Sequence, residues 1–273
     1  MATAVLDFPL NHDDEEPNHI IFWLDQGIGL PTEYIHLKKA FGSNTDPRHE
    51  TFTMLNDKDY DDLLDSKEPV TVLFGGVQFL LQAFVDENAC LEAFEVNQNK
   101  RIFFITSGSL GEKAVPRIIE SYRNVFTDPI TSKPYHSVYI FCGIIDNHVD
   151  WAMEYYEYIQ MFDFDRDLLQ RMTHDIADYF FERGRRILED TEPKDPLKYL
   201  YWAKRLYHRF DKLEADIDTD NPRPVRPSKD TRKIIDFIEK VESEKCANNV
   251  EENAPTNDGG DDSDTPYGES SDY

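Results

Sequence analysis

Residues 100–116 read KRIFFITSGSLGEKAVP, a continuous apolar run followed by a short loop of small polar residues. The run at 101–106 is typical of a strand that is covered on both faces, because apolar residues follow one another without alternation. The Ser-Gly-Ser loop at 107–109 then leads into a helix. Amides and hydroxyls in such a loop either cradle an anion or only turn the chain, and the sequence leaves both roles open.

A second stretch of the same kind, HIIFWLDQGIGLP, occupies residues 19–31. Its apolar run Ile20–Leu24 ends at Asp25 and is followed by glycines and a proline, so we predict the first buried strand here. The next segment, PTEYIHLKKAF, starts with a proline and carries apolar residues at helical spacing. This pattern predicts a helix that begins at Pro31.

Two further buried strands are predicted at Val77–Val85 and Val138–Cys142, and helices separate the four strands. Asp86 is well placed to cap the helix after the second strand. This alternation predicts right-handed crossovers and a small, mainly parallel α/β sheet of four or five strands. We expect the strand order 2-1-3-4, which opens a crevice at the carboxyl ends of the first and third strands.

Residues 42–76 interrupt this alternation with short apolar bursts between acidic and turn residues. We interpret them as an insertion in an α/β domain that spans residues 19–149. Within the insertion we predict a short helix at Tyr60–Leu64 and a short edge strand at Val70–Phe74.

From residue 150 onward the apolar spacing becomes helical. We predict a helical hairpin over residues 150–216, in which Gly184 and Leu200 fall at the spacing of a tetratricopeptide-type pair. A proline-rich linker at 217–227 and a last amphipathic helix at 228–246 follow. The apolar face of that helix is expected to close the groove of the hairpin.

The two ends of the chain are polar and acidic, so residues 1–18 and 247–273 are expected to be disordered. The formal net charge of −25 disfavours nucleic acid and anionic membranes as partners, because such surfaces require clustered Lys and Arg. The acidic tail instead suits a basic protein partner. The oligomeric state is left open by the sequence.

The cysteine content and the hydropathy of the chain indicate the cellular compartment. The chain has 3 cysteines, none in a CxxC pair, which is too few for a disulfide framework. No stretch approaches the roughly 20 apolar residues of a membrane span, and the first residues lack the pattern of a signal peptide. We therefore expect a cytoplasmic protein.

The predicted crevice defines the candidate site. Glycines there let backbone amides approach a ligand, and the Ser-Gly-Ser loop at a helix start suits a phosphate. The pattern nevertheless lacks the third glycine of a dinucleotide fingerprint, so simple turns remain the alternative. The predicted binding rim consists of Asp25, Gly27, Gly29, Thr106, Ser107, Gly108, Ser109 and Gly111.

Carboxylates near the crevice are the candidate ligand-binding and catalytic groups. Asp25 either binds a metal or a ribose or caps the segment that follows it. Glu112 and Glu120 share one face of the helix after the Ser-Gly-Ser loop, and Glu120 is the catalytic candidate if the protein is an enzyme. A solvated surface charge is the alternative for both glutamates.

Metal-ligand spacing is missing from the chain. His148 lies close to two aspartates, and His174 lies close to Asp175 and Asp178, but neither group forms an HExxH or HxE pattern. Cys142 is expected to be a core thiol. We predict no metal site.

The motifs together resemble a family of eukaryotic multidomain proteins, in which a leading segment precedes tetratricopeptide repeats or an arginine-directed mono-ADP-ribosyltransferase domain. The resemblance covers most of residues 19–210. It rests on WLD, on F.D...C...F, on KR.FFI.SGSLG...VP.I, on the YIFC strand, on DWA..Y and on MFD...DLL.R...DIA.YF, at Trp23–Asp25, Phe84–Phe94, Lys100–Ile118, Tyr139–Cys142, Asp150–Tyr155 and Met161–Phe180.

This resemblance implies a signalling context linked to NAD. The transferase itself requires an Arg strand, a Ser-Thr-Ser strand and an acidic-x-Glu pair, and here Glu242 and Glu244 stand on a terminal helix without the other elements. The leading segment also resembles, more loosely, Toll/interleukin-receptor and receiver domains, which have flavodoxin-like sheets. Some of the former cleave NAD through a Glu on the helix behind the crevice, which is why Glu120 is nominated.

Two functions follow from these observations. The first is a non-enzymatic interaction or adaptor module that recognises a protein partner through the crevice rim and uses no cofactor. The alternative is an NAD-handling enzyme, in which Ser107–Gly111 hold the diphosphate and Glu120 acts as general acid or base.

Overall fold

The computed structural model describes residues 18–44, 52–190, 194–215 and 225–252. Most of the predicted disordered amino terminus, the linker residues 217–224 and the tail after residue 252 lie outside the described residues. Within them the fold is a mixed α/β structure with a helical carboxyl-terminal region.

The described strands form one eight-stranded sheet in the order β3-β2-β4-β5-β1-β6-β7-β8. Strands β5, β1, β6, β7 and β8 are parallel, whereas β3, β2, β4 and β5 pair antiparallel to one another. The strands are β1 His19–Leu24, β2 Phe41–Asn44, β3 Phe52–Met54, β4 Val70–Phe74, β5 Val77–Phe84, β6 Arg101–Ser107, β7 Val138–Phe141 and β8 Ile159–Phe162.

Helices cover both faces of the sheet. One face packs on α3 and α4, and the other packs on the long pair α6 and α7, so two separate apolar clusters form. The helices are α1 Ile35–Lys38, α2 Asp57–Asp65, α3 Glu87–Val96, α4 Gly108–Tyr122, α5 Val149–Ala152, α6 Asp165–Asp190, α7 Pro196–Ala215 and α8 Lys229–Glu252. None of these described helices combines the length and apolarity that a membrane crossing requires.

The sheet is larger than the predicted four or five strands. The four predicted strands correspond to β1, β5, β6 and β7, which stand side by side as β5-β1-β6-β7. The expected insertion supplies most of β2, β3 and β4, and β4 pairs on both sides, so its prediction as an edge strand was wrong. Gly75 and Gly76, at φ 59° and 82°, form the tight β4–β5 hairpin, since positive φ suits glycine.

The helix predicted from Pro31 was also wrong in extent. Only the four residues of α1 are helical, because Tyr34 directly before it adopts a left-handed conformation with φ 56°. Tyr34 and Leu37 are nevertheless buried, so the apolar spacing of the segment reflects packing rather than a long helix.

Residues 150–164 belong to the sheet region rather than to a hairpin. They form α5, a 3-10 turn and β8, which pairs with β7, and so the sheet extends past the predicted boundary at residue 149. The hairpin itself is α6 and α7, where a Cβ on Gly184 would lie 2.8 Å from Leu200. Helix α8 packs against it with Ile234, Ile238 and Val241 buried, and continues six residues past the predicted end at 246.

Candidate functional site

The crevice lies at the carboxyl ends of β1, β6 and β7. The chain leaves β1 toward α1, which packs against α6, and leaves β6 toward α4 on the opposite face of the sheet. Connections that diverge in this way open a gap between neighbouring strands. The gap is a shallow cavity of about 340 Å³, and its walls include Asp25, Glu33, Tyr34, Ser107, Ser109, Cys142 and His148.

Asp25 is buried and closes the turn after β1. Its Oδ1 accepts a hydrogen bond from the Gly27 amide at 2.5 Å, and its Oδ2 accepts one from the Tyr34 hydroxyl at 2.7 Å. Burial raises the pKa of the Tyr34 phenol, with the Asp25 carboxylate as the next cause, so the hydroxyl remains a donor. Both carboxylate oxygens are therefore engaged, which fits the capping alternative for Asp25.

The first turn of α4 faces the same crevice. Ser107 is the N-cap residue, but its side chain makes no capping hydrogen bond, and no acidic residue stands in the first turn. Ser107 and Ser109 line the cavity, and Lys113 lines an adjoining hollow that also contains Asp25. The hydroxyls, the helix start and the ammonium group are compatible with an anionic group of a ligand.

Three predicted rim residues serve packing instead. Thr106 is fully buried, and a Cβ on Gly111 would lie 3.0 Å from the Thr106 methyl and 3.2 Å from Ile140. A Cβ on Gly29 would meet Asp61 of α2 at 3.3 Å, so Gly29 allows the close approach of that helix. The structure thus brings Asp25, Gly27, Ser107, Gly108 and Ser109 to the crevice, and places Thr106, Gly29 and Gly111 behind or beside it.

Glu120 does not reach the crevice. Its side chain is exposed, and it lies twelve residues past Gly108 on α4, which is about 18 Å along the helix axis. Glu112 is exposed as well. Their shared helical face is therefore a solvated face, and the nomination of Glu120 as the catalytic residue of this crevice is corrected.

Sequence reasoning missed the role of His148. Its ring packs against the start of α4, where a Cβ on Gly108 would lie 2.5 Å from two ring atoms, and its Nδ1 accepts a bond from the Trp151 indole at 3.4 Å. The absence of a side chain at Gly108 is the one local signal for this contact. Cys142 beside it is buried, and burial raises the pKa of its thiol, so it fits the predicted core thiol.

The histidine cluster on α6 is used for packing between helices. His174, Asp175 and Asp178 offer ligand atoms within 4.8 Å of one another. Nδ1 of His174 already lies 3.3 Å from Asp178, however, and its Nε2 lies 3.4 Å from Asp230 on α8. The contact with Asp230 joins α6 to α8, whereas the contact with Asp178 lies within α6, and the absence of a metal site stays a prediction.

Exposed apolar side chains lie at the same edge of the sheet as the crevice. Segments that directly follow β1, β5, β7 and β8 all lie at the carboxyl edge of the sheet. Ile144 is 61% exposed and Phe164 is 65% exposed. The carboxyl-edge surface, as we name it, comprises these two residues together with Leu30, Ile35, Val85 and Val149.

Acidic residues are interleaved with this apolar set. Val85 is followed by Asp86, Val149 by Asp150, and Phe164 is preceded by Asp163, and all three aspartates are exposed. The carboxyl-edge surface is therefore both apolar and negatively charged.

Comparison with known proteins gives no relative. No family model, no curated protein and no solved structure matches this chain. The resemblance to the multidomain family consequently stays a prediction.

Proposed function

We propose that the protein is a non-enzymatic interaction module that binds a protein partner through the carboxyl-edge surface. The observation that carries this proposal is the set of exposed apolar side chains on four loops at one edge of the sheet. Grouped exposed apolar side chains with a polar surround mark binding sites, because water leaves them favourably when a partner docks. The adjoining crevice accepts a projecting group of that partner.

The chemistry of the surface favours a basic, amphipathic partner segment. Asp86, Asp150 and Asp163 stand beside the apolar residues, and the chain as a whole carries a formal charge of −25. A segment with apolar and basic side chains would satisfy both features and would be steered by the charge. The acidic residues of the tail add to the electrostatic attraction for a basic partner, which suits an adaptor in the cytoplasm.

A cytoplasmic location is part of the proposal. The thiols of Cys90 and Cys142 are free and buried, and a reducing compartment maintains such thiols. The flavodoxin-like and Toll/interleukin-receptor-like character of the parallel half of the sheet belongs to the same proposal.

The NAD-handling alternative retains one supporting observation. Ser107, Ser109 and the exposed carboxylate Glu33 line the same cavity. Under this alternative the serines hold a diphosphate and Glu33, in place of Glu120, supplies the carboxylate. Release of nicotinamide by the wild type but not by Glu33→Gln would establish this alternative.

The experiment for the leading proposal is selection of peptides from a displayed library, followed by titration of the selected peptides. We expect basic, amphipathic sequences that bind the wild type and lose at least tenfold in affinity to Ile144→Asp or Phe164→Asp. Val96→Asp is the matched control, because Val96 is 76% exposed at the end of α3, away from this edge. Equal loss in the control, or selection of acidic peptides, would contradict the proposal.

A further inference from the structure

A second cavity of about 320 Å³ lies at the opposite edge of the sheet, where β6 begins. Its walls come from β6, from the loop that precedes β7, and from α6. The residues that matter for its chemistry are Arg101, Asp128, Tyr135, Arg171, Tyr179 and Arg186. It shares no lining residue with the crevice, so it is an independent feature of the molecule.

Arg101 is the unusual member of this cavity. Its guanidinium carbon lies 3.4 Å from the centroid of the Tyr135 ring and 5.6 Å from that of Tyr179, so it is held between aromatic side chains. Its Nε and Nη1 atoms are buried and have no hydrogen-bond partner among the described residues. Buried guanidinium donors without a partner are costly for folding, so their presence in a cavity wall points to a ligand that pairs with Arg101.

The acidic residues of the cavity are already paired with other groups. Asp128 accepts a bond from Arg186 at 2.6 Å, and Asp175 lies 2.9 Å from Arg171. Asp178 accepts a bond from the Tyr207 hydroxyl at 2.5 Å, and Glu182 lies 3.2 Å from Arg185. Four hydrogen bonds hold Asp128 in this position: two from the backbone amides of Ile130 and Thr131, one from Arg186 and one from the Tyr135 hydroxyl at 3.2 Å. These carboxylates are therefore not available to Arg101, and they neutralise the neighbouring arginines.

We propose that this cavity binds a small organic carboxylate, which pairs with Arg101. The Arg101 guanidinium has donors without a partner that suit one carboxylate, and the nearby carboxylates of Asp128, Asp175, Asp178 and Glu182 would repel the second charge of a phosphate. The planar guanidinium suits a carboxylate, and the tyrosine rings suit an apolar or aromatic body. A volume of about 320 Å³ is that of a small-molecule site.

The test is a titration of the full chain with sodium benzoate, in which saturation-transfer NMR signals of the ligand report binding. Benzyl alcohol at the same ionic strength is the matched neutral probe, and inorganic phosphate is the probe for the other anion class. We expect binding of benzoate alone. Absence of benzoate binding at about 20 mM, where a ligand of millimolar affinity would be near saturation, would overturn the proposal. Tighter binding of phosphate than of benzoate would do the same.

Variants of Arg101 decide whether the guanidinium is the receptor. Arg101→Met removes the uncompensated buried charge, so we expect at least a tenfold loss of benzoate affinity without a fall in thermal stability. Arg101→Lys keeps a charge but lacks the planar fork, and we expect weakened binding in a folded protein. Arg117→Met is the control, because Arg117 is exposed on α4 and pairs with Glu87.

Benzoate binding that persists in Arg101→Met would overturn the proposal. So would a loss of folding in both Arg101 variants together with no benzoate binding by the wild type, because Arg101 would then be a structural cation held by Tyr135.

Discussion

Acid should destabilise this protein through His19. The side chain is 2% exposed at the start of β1, its Nε2 lies 2.7 Å from the Gln78 carbonyl oxygen, and the Phe79 and Phe180 rings contact it edge-on at centroid distances of 4.3 and 5.0 Å. Burial lowers the pKa of His19 from 6.5 to about 4, because the imidazolium form would lose its hydration. The folded protein therefore keeps this ring neutral at pH 5 to 6.

The sign and size of the effect follow from proton linkage. Between pH 6.5 and about 4 the unfolded chain binds a proton at His19 that the folded chain does not bind, so acidification favours unfolding. The contribution of His19 is complete above pH 6.5 and is lost as the pH falls through the folded-state value. A pKa difference of about 2.5 corresponds to about 3 kcal/mol of unfolding free energy.

The assay is urea unfolding of the wild type and of His19→Gln at several pH values from 7.5 to 4. Glutamine can still donate to the Gln78 carbonyl but does not titrate, so its packing penalty is constant with pH. We expect the stability advantage of the wild type over the variant to shrink by about 3 kcal/mol across this range. His136→Gln is the control, since His136 is exposed.

A pH-independent difference between wild type and His19→Gln would refute the reasoning, because it would mean that the buried ring accepts a proton as readily as the unfolded one. An equal decrease with falling pH in the stability difference between the wild type and His136→Gln would refute it as well, because the effect would then not be specific to His19.

Three further predictions concern packing and pH. Gly108→Ala should destabilise the fold by about 1–3 kcal/mol in urea unfolding and move the His148 NMR signals, because its Cβ would lie 2.5 Å from that ring. Gly184→Ala should lower the thermal midpoint, because its Cβ would lie 2.8 Å from Leu200; an unchanged midpoint would contradict this packing. Hydrogen bonding to carboxylates on α6 and α8 raises the pKa of His174, so protonated His174 stabilises the folded state. In urea unfolding, His174→Gln should therefore be less stable than the wild type below pH 6.5, and this difference should disappear in alkaline solution.

The local pattern of apolar residues was sufficient to predict the central strands of the sheet. The unbroken apolar runs in β1 and β6 require cover on both faces, so they predict buried parallel strands without knowledge of the neighbours. Asp86 was predicted as an N-cap for the same kind of reason, and its side chain does accept the Ala89 amide at 3.0 Å. These features depend on residues that are close together in sequence.

The outer strands could not be predicted from pattern in the same way. β2, β3 and β8 are three or four residues long and mix polar with apolar residues, so they show neither a clear period nor the continuous apolar run that predicted the equally short β7. Their pairing depends on partners far along the chain, such as the β7–β8 register of Tyr139 with Gln160. Such pairing is decided by long-range packing and loop closure, which the local sequence does not encode.

The candidate sites also combine features that local sequence predicts with features that depend on long-range packing. By itself the sequence determined that Asp25, Gly27 and the Ser107–Ser109 loop follow neighbouring strands, and residues at the carboxyl ends of parallel strands meet at one edge. Helix geometry already places Glu120 about 18 Å along the axis from the start of α4, so the sequence itself argued against its nomination, and the structure adds that its side chain is exposed. Only the tertiary structure decided which apolar side chains stay exposed, and only it left the Arg101 guanidinium among aromatic rings without a carboxylate partner in the described chain. Both depend on which groups long-range packing brings together.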